Sequence, residues 1–130
     1  MIRTSLEIEN YVIPLGKALN LENEPKWFYL RFMLNVSLSL KTTFEEVEYE
    51  AKEGKEYRLE QITGEGKGSE DYTKFYWDAI EVYDDITITS KKALEQHLQR
   101  HIFRGYHILS SSLKHDSNIF DFMLQDLITI

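Results

Sequence analysis

Most of the side chains that could perform chemistry in this sequence fall within residues 97–109, HLQRHIFRGYHIL. His97 and His101 are four residues apart, a spacing that places two imidazoles on one face of a helix, as in zinc-binding helices. The residues between them include no glutamate that could act as a base, and a third ligand would have to come from His107, His115 or a distant carboxylate. We therefore interpret these histidines as hydrogen-bonded or solvent-facing residues, and we predict no metal site.

A second pair at helical spacing consists of Arg100 and Arg104, and Lys91 and Lys92 precede it in the same predicted helix. Arginine binds phosphate bidentately through charge-assisted hydrogen bonds, so this basic ridge could contact a nucleic-acid backbone. The same arginines could instead pair with the protein's own glutamates and stabilise the fold. The residues alone leave both interpretations open.

Other chemistry has little support in the sequence. Residues 64–69 read GEGKGS, and Gly68 occupies the position where a Walker A phosphate-binding loop needs serine or threonine. The chain has no cysteine, which excludes disulfides, thiolate metal sites and cysteine nucleophiles. It also lacks the G-x-S-x-G motif of serine hydrolases. Neither nucleotide binding nor hydrolysis is therefore predicted.

Length, composition and net charge limit the classes of protein to which this chain could belong. A length of 130 residues predicts one domain, and 42% hydrophobic residues with 13% aromatic residues predict a well-formed core. No run of about 18 apolar residues is present, which favours a soluble protein of the cytoplasm. The net charge of −7 is the opposite of what a protein that coats DNA usually carries.

The charge is unevenly distributed along the chain. Residues 43–60 contain seven acidic and three basic side chains, whereas residues 90–114 contain five basic side chains and one acidic side chain. One end of the molecule could therefore carry a positive potential, while the acidic segment repels polyanions such as DNA.

Hydrophobic periodicity predicts helices at residues 5–18, from Pro25, at residues 71–83 and from Lys91 onward. Thr4 and Glu7 match a capping box for the first helix, and Pro14 should kink that helix or end it near Ile13. Thr89 or Ser90 should cap the long last helix.

The second helix contains Pro25, which suits a first helical position, and it is apolar nearly all round, as a central buried helix is. Its Arg31 should have an acidic partner or reach the surface.

Alternating residues on either side of residues 52–55 predict a β-hairpin: Val47, Tyr49 and Ala51, then Tyr57 and Leu59. Residues 64–71 resemble a mobile loop, and residues 115–130 an extra amphipathic helix. The predicted fold class is mainly α, a compact single-domain helical bundle with one β-hairpin.

Four segments in order carry a resemblance to a known family: RTSLEIE, an Arg-bearing apolar helix ending in SLSL, YRLEQITGE and HIFRGYHIL. Together they resemble DndE, the small subunit of the DNA phosphorothioation system, over about residues 2–110. That system replaces a non-bridging phosphate oxygen of DNA with sulfur, usually within a restriction-type defence of bacteria and archaea. The resemblance implies a helical fold and work beside sulfur-transfer and ATPase subunits, which perform the chemistry.

Family members are credited with binding DNA, including nicked duplex, through basic surface residues, and with forming tetramers in some cases. The matching residues in this sequence include Arg3 at the start and His101, Arg104 and Gly105 late in the chain. The resemblance thus implies an accessory, non-catalytic subunit without cofactor, with DNA, the partner subunits and a second copy of itself as possible partners. A protein-only scaffold is the alternative, and a small metal enzyme using His97 and His101 is the third hypothesis.

The DNA-binding candidates are the five basic residues that the ridge and the resemblance supply: Arg3, Lys91, Lys92, Arg100 and Arg104. A helical Gly105 costs about 1 kcal/mol relative to alanine, so we expect a close backbone approach at that point of the last helix.

Overall fold

The structure is a computed structural model that describes residues 1–41 and 50–113. Within these ranges the chain forms two strands and five helices in the order β1 (Ile2–Ser5), α1 (Leu6–Leu19), α2 (Lys26–Ser39), β2 (Glu53–Tyr57), α3 (Leu59–Thr63), α4 (Thr73–Asp84) and α5 (Lys91–Leu113). This content confirms the prediction of a mainly α fold. The predicted helix at residues 115–130 and the residues Val47 and Tyr49 lie outside the described ranges.

The first helix is capped one residue later than the sequence predicts. Ser5 is the N-cap, and its Oγ accepts a hydrogen bond from the backbone N–H of Ile8 at 3.2 Å. Thr4 instead donates its hydroxyl proton to the Glu9 carboxylate at 2.6 Å. The predicted capping box of Thr4 and Glu7 is therefore wrong, because strand pairing holds Thr4 in β1.

Helix α1 continues through Pro14 to Leu19, so the predicted helix over residues 5–18 is confirmed to within one residue, and of the two expected effects of Pro14 the end near Ile13 is wrong. Proline removes one helical hydrogen bond, but Leu15 and Leu19 beyond it are buried and hold the last turn against the core. The helix ends at Asn20, which adopts the left-handed conformation that asparagine tolerates well.

Helix α2 lies at the centre of the domain, as its apolar circumference predicts. It packs most extensively against α5 and also contacts α1, α3 and α4. The helix begins at Lys26, with Pro25 directly before it, so the predicted start differs by one residue. Its buried residues face several directions: Tyr29, Leu30, Met33, Leu34, Val36, Ser37 and Leu38.

The antiparallel pair of strands is present, but its partners differ from the predicted hairpin. Strand β2 pairs with β1 near the N-terminus, with Ile2 opposite Tyr57 and Arg3 opposite Glu56. Gly54 therefore lies inside a strand and not in a turn. A Cβ at that position would be 2.1 Å from the carbonyl oxygen of Thr4, so the glycine permits the two backbones to approach. The predicted turn at residues 52–55 is wrong for this reason.

The later helices agree closely with the sequence. Helix α4 spans Thr73–Asp84, and Ser90 caps α5 by accepting a hydrogen bond from the backbone N–H of Ala93 at 3.1 Å. In the segment before α4, the carboxylate of Asp71 accepts hydrogen bonds from the backbone N–H groups of Gly66 and Thr73. None of the helices in the described ranges is both long and apolar enough to cross a membrane.

Candidate nucleic-acid interface

Helix α5 carries four of the five DNA-binding candidates, and its packing decides which of them reach solvent. The inward stripe contains Leu94, Leu98, Ile102 and Leu109, all of which are buried. Gly105 lies on the same side, and a Cβ there would be 1.8 Å from the carbonyl oxygen of Met33 in α2. The expected close approach at this glycine is therefore confirmed.

His101 belongs to a buried polar network between α2, α4 and α5. Its ring is 1% exposed, with Nδ1 at 2.7 Å from the Ser37 hydroxyl and Nε2 at 2.7 Å from the Asp84 carboxylate. In the neutral ring, Nε2–H donates to Asp84 and Nδ1 accepts from Ser37. Both nitrogens are thus occupied by protein groups, and His101 has no lone pair to offer a metal in the manner of a zinc-binding helix.

Arg104 completes this network from the other side of Ser37. Its Nε donates to the Ser37 hydroxyl at 2.7 Å, and its Nη2 donates to the Ser37 carbonyl at 2.8 Å. Burial lowers the pKa of the guanidinium, and the nearby Asp84 carboxylate opposes that shift. Neither interpretation of Arg104 from the sequence anticipates a serine as its partner. We call Ser37, Asp84, His101 and Arg104 the buried network.

Serine, histidine and aspartate in contact are also the residue types of a hydrolase triad. Here Ser37 is 0% exposed, and its hydroxyl is held by both His101 and Arg104. A nucleophile needs room for a substrate carbonyl beside its hydroxyl and an oxyanion site next to it. The packing around Ser37 leaves no such room, so the geometry supports a structural role for these residues.

The surface candidates lie around the solvent-facing side of α5. Lys92 is exposed and Arg100 is half-buried two turns later. Strand β1 runs beside them, since the backbone N–H of Arg3 donates to the Gln99 side chain at 2.7 Å. Three basic residues, Lys92 and Arg100 on α5 and Arg3 through its backbone, thus lie around Gln99, and we call this patch the α5 face.

Two candidates already have acidic neighbours. The Arg3 guanidinium is 3.1 Å from the Glu56 carboxylate across the sheet, and the Lys91 ammonium is 3.0 Å from Glu65. Both cations are largely exposed, although the Glu65 side chain is only 33% exposed, and exposed pairs contribute little to stability, so phosphate could compete for these cations. Contact of any of the five residues with DNA stays a prediction.

A second polar centre surrounds Glu9 and was not predicted from the sequence. Its side chain is only 8% exposed and accepts hydrogen bonds from Thr4 at 2.6 Å, from Tyr57 at 2.9 Å and from Lys26 at 3.1 Å. Burial, assisted by the hydrogen bond to Glu9, raises the pKa of the Tyr57 hydroxyl. This carboxylate joins α1 to β2 and α2, and only the three-dimensional pairing of β1 with β2 shows it.

Sequence reasoning also missed a groove between α2 and α4. Its volume is about 520 Å³, and its lining includes Arg31, Asn35, Leu38, Ser39, Tyr72, Phe75, Tyr76, Ala79 and Tyr83. Arg31 has no acidic partner among the described residues, but it is half-buried and reaches the surface at this groove, which is one of the two outcomes expected of it. Its Nε donates to the carbonyl oxygen of Ile62 at 2.8 Å, and its guanidinium lies 4.4 Å from the Trp27 ring centre and 5.6 Å from that of Tyr72.

A family model described as DndE, DNA sulphur modification protein DndE, matches residues 1–117. No curated protein and no solved structure matches the chain.

Proposed function

This chain belongs to the DndE family and so takes part in DNA sulfur modification, and we propose that it does so as an accessory subunit without a catalytic centre of its own. The observation that carries this proposal is the buried network. The Ser37 hydroxyl, beside His101 and Asp84, is enclosed and engaged in structural hydrogen bonds. In this proposal the chain contributes surfaces that bind DNA and the partner subunits.

For DNA, the proposal assigns contact with backbone phosphates to the α5 face. Arg3, Lys92 and Arg100 lie around this face, Gln96 and Gln99 between them are uncharged, and the nearby Glu95 carboxylate is paired with the N-terminal ammonium. Three cations provide modest affinity against a net charge of −7. The chain therefore contacts DNA productively when the sulfur-transfer and ATPase subunits hold it against the duplex.

Fluorescence anisotropy with labelled nicked and intact duplexes tests this assignment, with and without the partner subunits. Three phosphate contacts give a slope of log affinity against log salt of about −2.7, so affinity falls about 40-fold between about 50 and about 200 mM salt. Replacing Lys92 and Arg100 with alanine should reduce that slope to about −0.9, since only Arg3 remains.

The matched control removes the same number of charges elsewhere. Lys17 in α1 and Lys74 in α4 are exposed and lie outside the α5 face. The double alanine variant of these lysines should keep the wild-type salt slope. An equal loss in both double variants would overturn the assignment to the α5 face, because it would show a dependence on net charge alone.

A protein-only scaffold is the second candidate function. The pairing of Arg3 with Glu56 and of Lys91 with Glu65 favours it, since these cations are partly neutralised before DNA arrives. Wild-type protein that co-purifies with the partner subunits but shows no salt-dependent DNA binding, alone or in the complex, would establish the scaffold. Failure to co-purify with any of these subunits would overturn both candidates.

A further inference from the structure

The groove between α2 and α4 combines an apolar wall with one fixed cation. Helix α4 buries Tyr76 and Ile80 on one side, yet Phe75 remains 62% exposed and Val82 73% exposed on another. Exposed apolar side chains that cluster beside a groove mark interaction sites more often than they mark plain surface. This face of α4 is therefore suited to a partner.

The spacing along α4 indicates the shape of that partner. Tyr72, Phe75, Ala79 and Val82 follow one another at intervals of three and four residues, which places them on one helical stripe. The stripe is about 15 Å long at 1.5 Å per residue. A segment of two to three helical turns with apolar residues at the same intervals would match it, as in other complexes in which a helix occupies a groove.

Arg31 specifies the charge of the partner. Its Nε is held by the Ile62 carbonyl and its plane by two aromatic rings, whereas its Nη atoms have no hydrogen-bond partner among the described residues. None of the described side chains that line the groove carries a carboxylate. A guanidinium fixed in this way is preorganised to donate two hydrogen bonds to one carboxylate.

The surroundings distinguish a peptide from a nucleic-acid strand. A strand presents a phosphate at every nucleotide and needs a row of cations, but Arg31 is the one cation in the described lining. A helical peptide needs only one anchoring charge and several apolar contacts. We propose that the α2–α4 groove binds an amphipathic helical segment of a partner subunit, with one acidic side chain on Arg31.

This inference rests on the proposed function, because it names the surface through which the accessory subunit joins its complex. Site-directed photo-crosslinking tests it cleanly, since the chain has no cysteine of its own. A photoreactive label on Val82→Cys lies at the rim of the groove, and one on Ile13→Cys, 68% exposed on α1, is the control. Both proteins are mixed with the purified sulfur-transfer and ATPase subunits, and mass spectrometry identifies the crosslinked peptides.

The expected product joins position 82 to an apolar segment with at least one acidic residue in a partner subunit, and position 13 gives no such product. Binding measured for the same subunits should weaken about 10-fold or more in Arg31→Gln, through the loss of hydrogen bonds to a charged group. Phe75→Ala should weaken it to a similar degree through the loss of an aromatic contact. Arg31→Lys should restore binding only in part, since it keeps the charge and loses the fork.

The outcomes separate this inference from the proposed function. Partner subunits that co-purify normally but crosslink at neither position, or at both equally, overturn the groove and leave the accessory role intact. Crosslinks from position 82 to DNA, to a second copy or to the chain itself also overturn it, because they identify another occupant. Salt-dependent binding of DNA through the α5 face should be unchanged in Arg31→Gln and Phe75→Ala.

Discussion

Arg104 on α5 and Arg31 on α2 are both half-buried arginines, yet their surroundings give them opposite roles. Arg104 donates hydrogen bonds from Nε and Nη2 to the hydroxyl and carbonyl of Ser37, inside a network that also includes His101. Arg31 donates only from Nε, to the Ile62 carbonyl, and its guanidinium stacks against two aromatic rings at the edge of a groove. Burial alone therefore does not distinguish an arginine that stabilises the fold from one that can bind a ligand. The two are distinguished by how many guanidinium N–H donors the protein's own groups leave for a ligand.

The buried network gives the largest expected effect. His101→Ala removes both hydrogen bonds of the ring and leaves the Asp84 carboxylate, only 6% exposed, without its histidine partner. Removing the hydrogen bonds to a buried carboxylate and to a buried hydroxyl costs about 3–5 kcal/mol of unfolding free energy together, since each such loss costs about 1–3 kcal/mol and more for a charged group. Urea unfolding followed by circular dichroism measures the loss, and the exposed His107→Ala is the control. A loss below about 1 kcal/mol would mean that the network does not stabilise the fold.

The next effect tests the packing that brings the network together. Gly105→Ala places a Cβ 1.8 Å from the Met33 carbonyl oxygen, so α2 and α5 must separate. We expect a loss of about 3 kcal/mol in the same unfolding measurement, at the upper end of what overpacking usually costs. Gln96→Ala on the exposed side of α5 should change stability by less than about 0.5 kcal/mol. Equal stability of both variants would contradict the close approach.

The comparison of the two arginines is tested directly by a matched pair of substitutions. Arg104→Ala leaves the buried Ser37 hydroxyl and carbonyl without these donors and should cost about 2 kcal/mol. Arg31→Ala loses one hydrogen bond and two exposed ring contacts and should cost about 1 kcal/mol. For the affinity of partner subunits we expect the opposite ranking, with Arg31→Ala losing more than Arg104→Ala. If Arg104→Ala reduced partner binding more than Arg31→Ala without unfolding the protein, the distinction would fail.

The smallest effect concerns His97, the other member of the histidine pair. Burial lowers its pKa below the usual 6.5, and the positive charge of Arg100 lowers it further. The unfolded chain therefore takes up a proton at higher pH than the folded chain, and stability is lost as the pH falls from about 6.5 toward the lowered pKa. NMR titration of the ring protons should show the lowered pKa, and Arg100→Gln should raise it toward the usual value.

Local signals predicted the helices well. Continuous apolar periodicity located α4 and α5, and the cap at Ser90 followed from its position before that pattern. Gly105 within a strong helical pattern correctly indicated a close backbone approach. These features depend on residues within a few turns of one another, so the sequence contains their whole cause.

Features that join distant segments were not predictable in the same way. Strand β2 fits a local hairpin by its alternation, but it pairs with residues 2–5, about fifty positions earlier. The partner was hidden because β1 is short and runs directly into α1. The groove was missed for a related reason: the apolar stripe of α4 looks like core until the structure shows that Phe75 and Val82 face outward.

The mainly α class, the family and the late position of the basic segment follow from composition, periodicity and ordered motifs, which are properties of the chain alone. The roles of the polar and charged side chains depend instead on how the helices pack. His101 lies against Ser37 and Asp84 from two other helices, and Arg104 turns inward to the same serine. The physical reason is that a buried polar side chain takes whichever partner packing brings within hydrogen-bond distance, and that partner can lie anywhere along the chain.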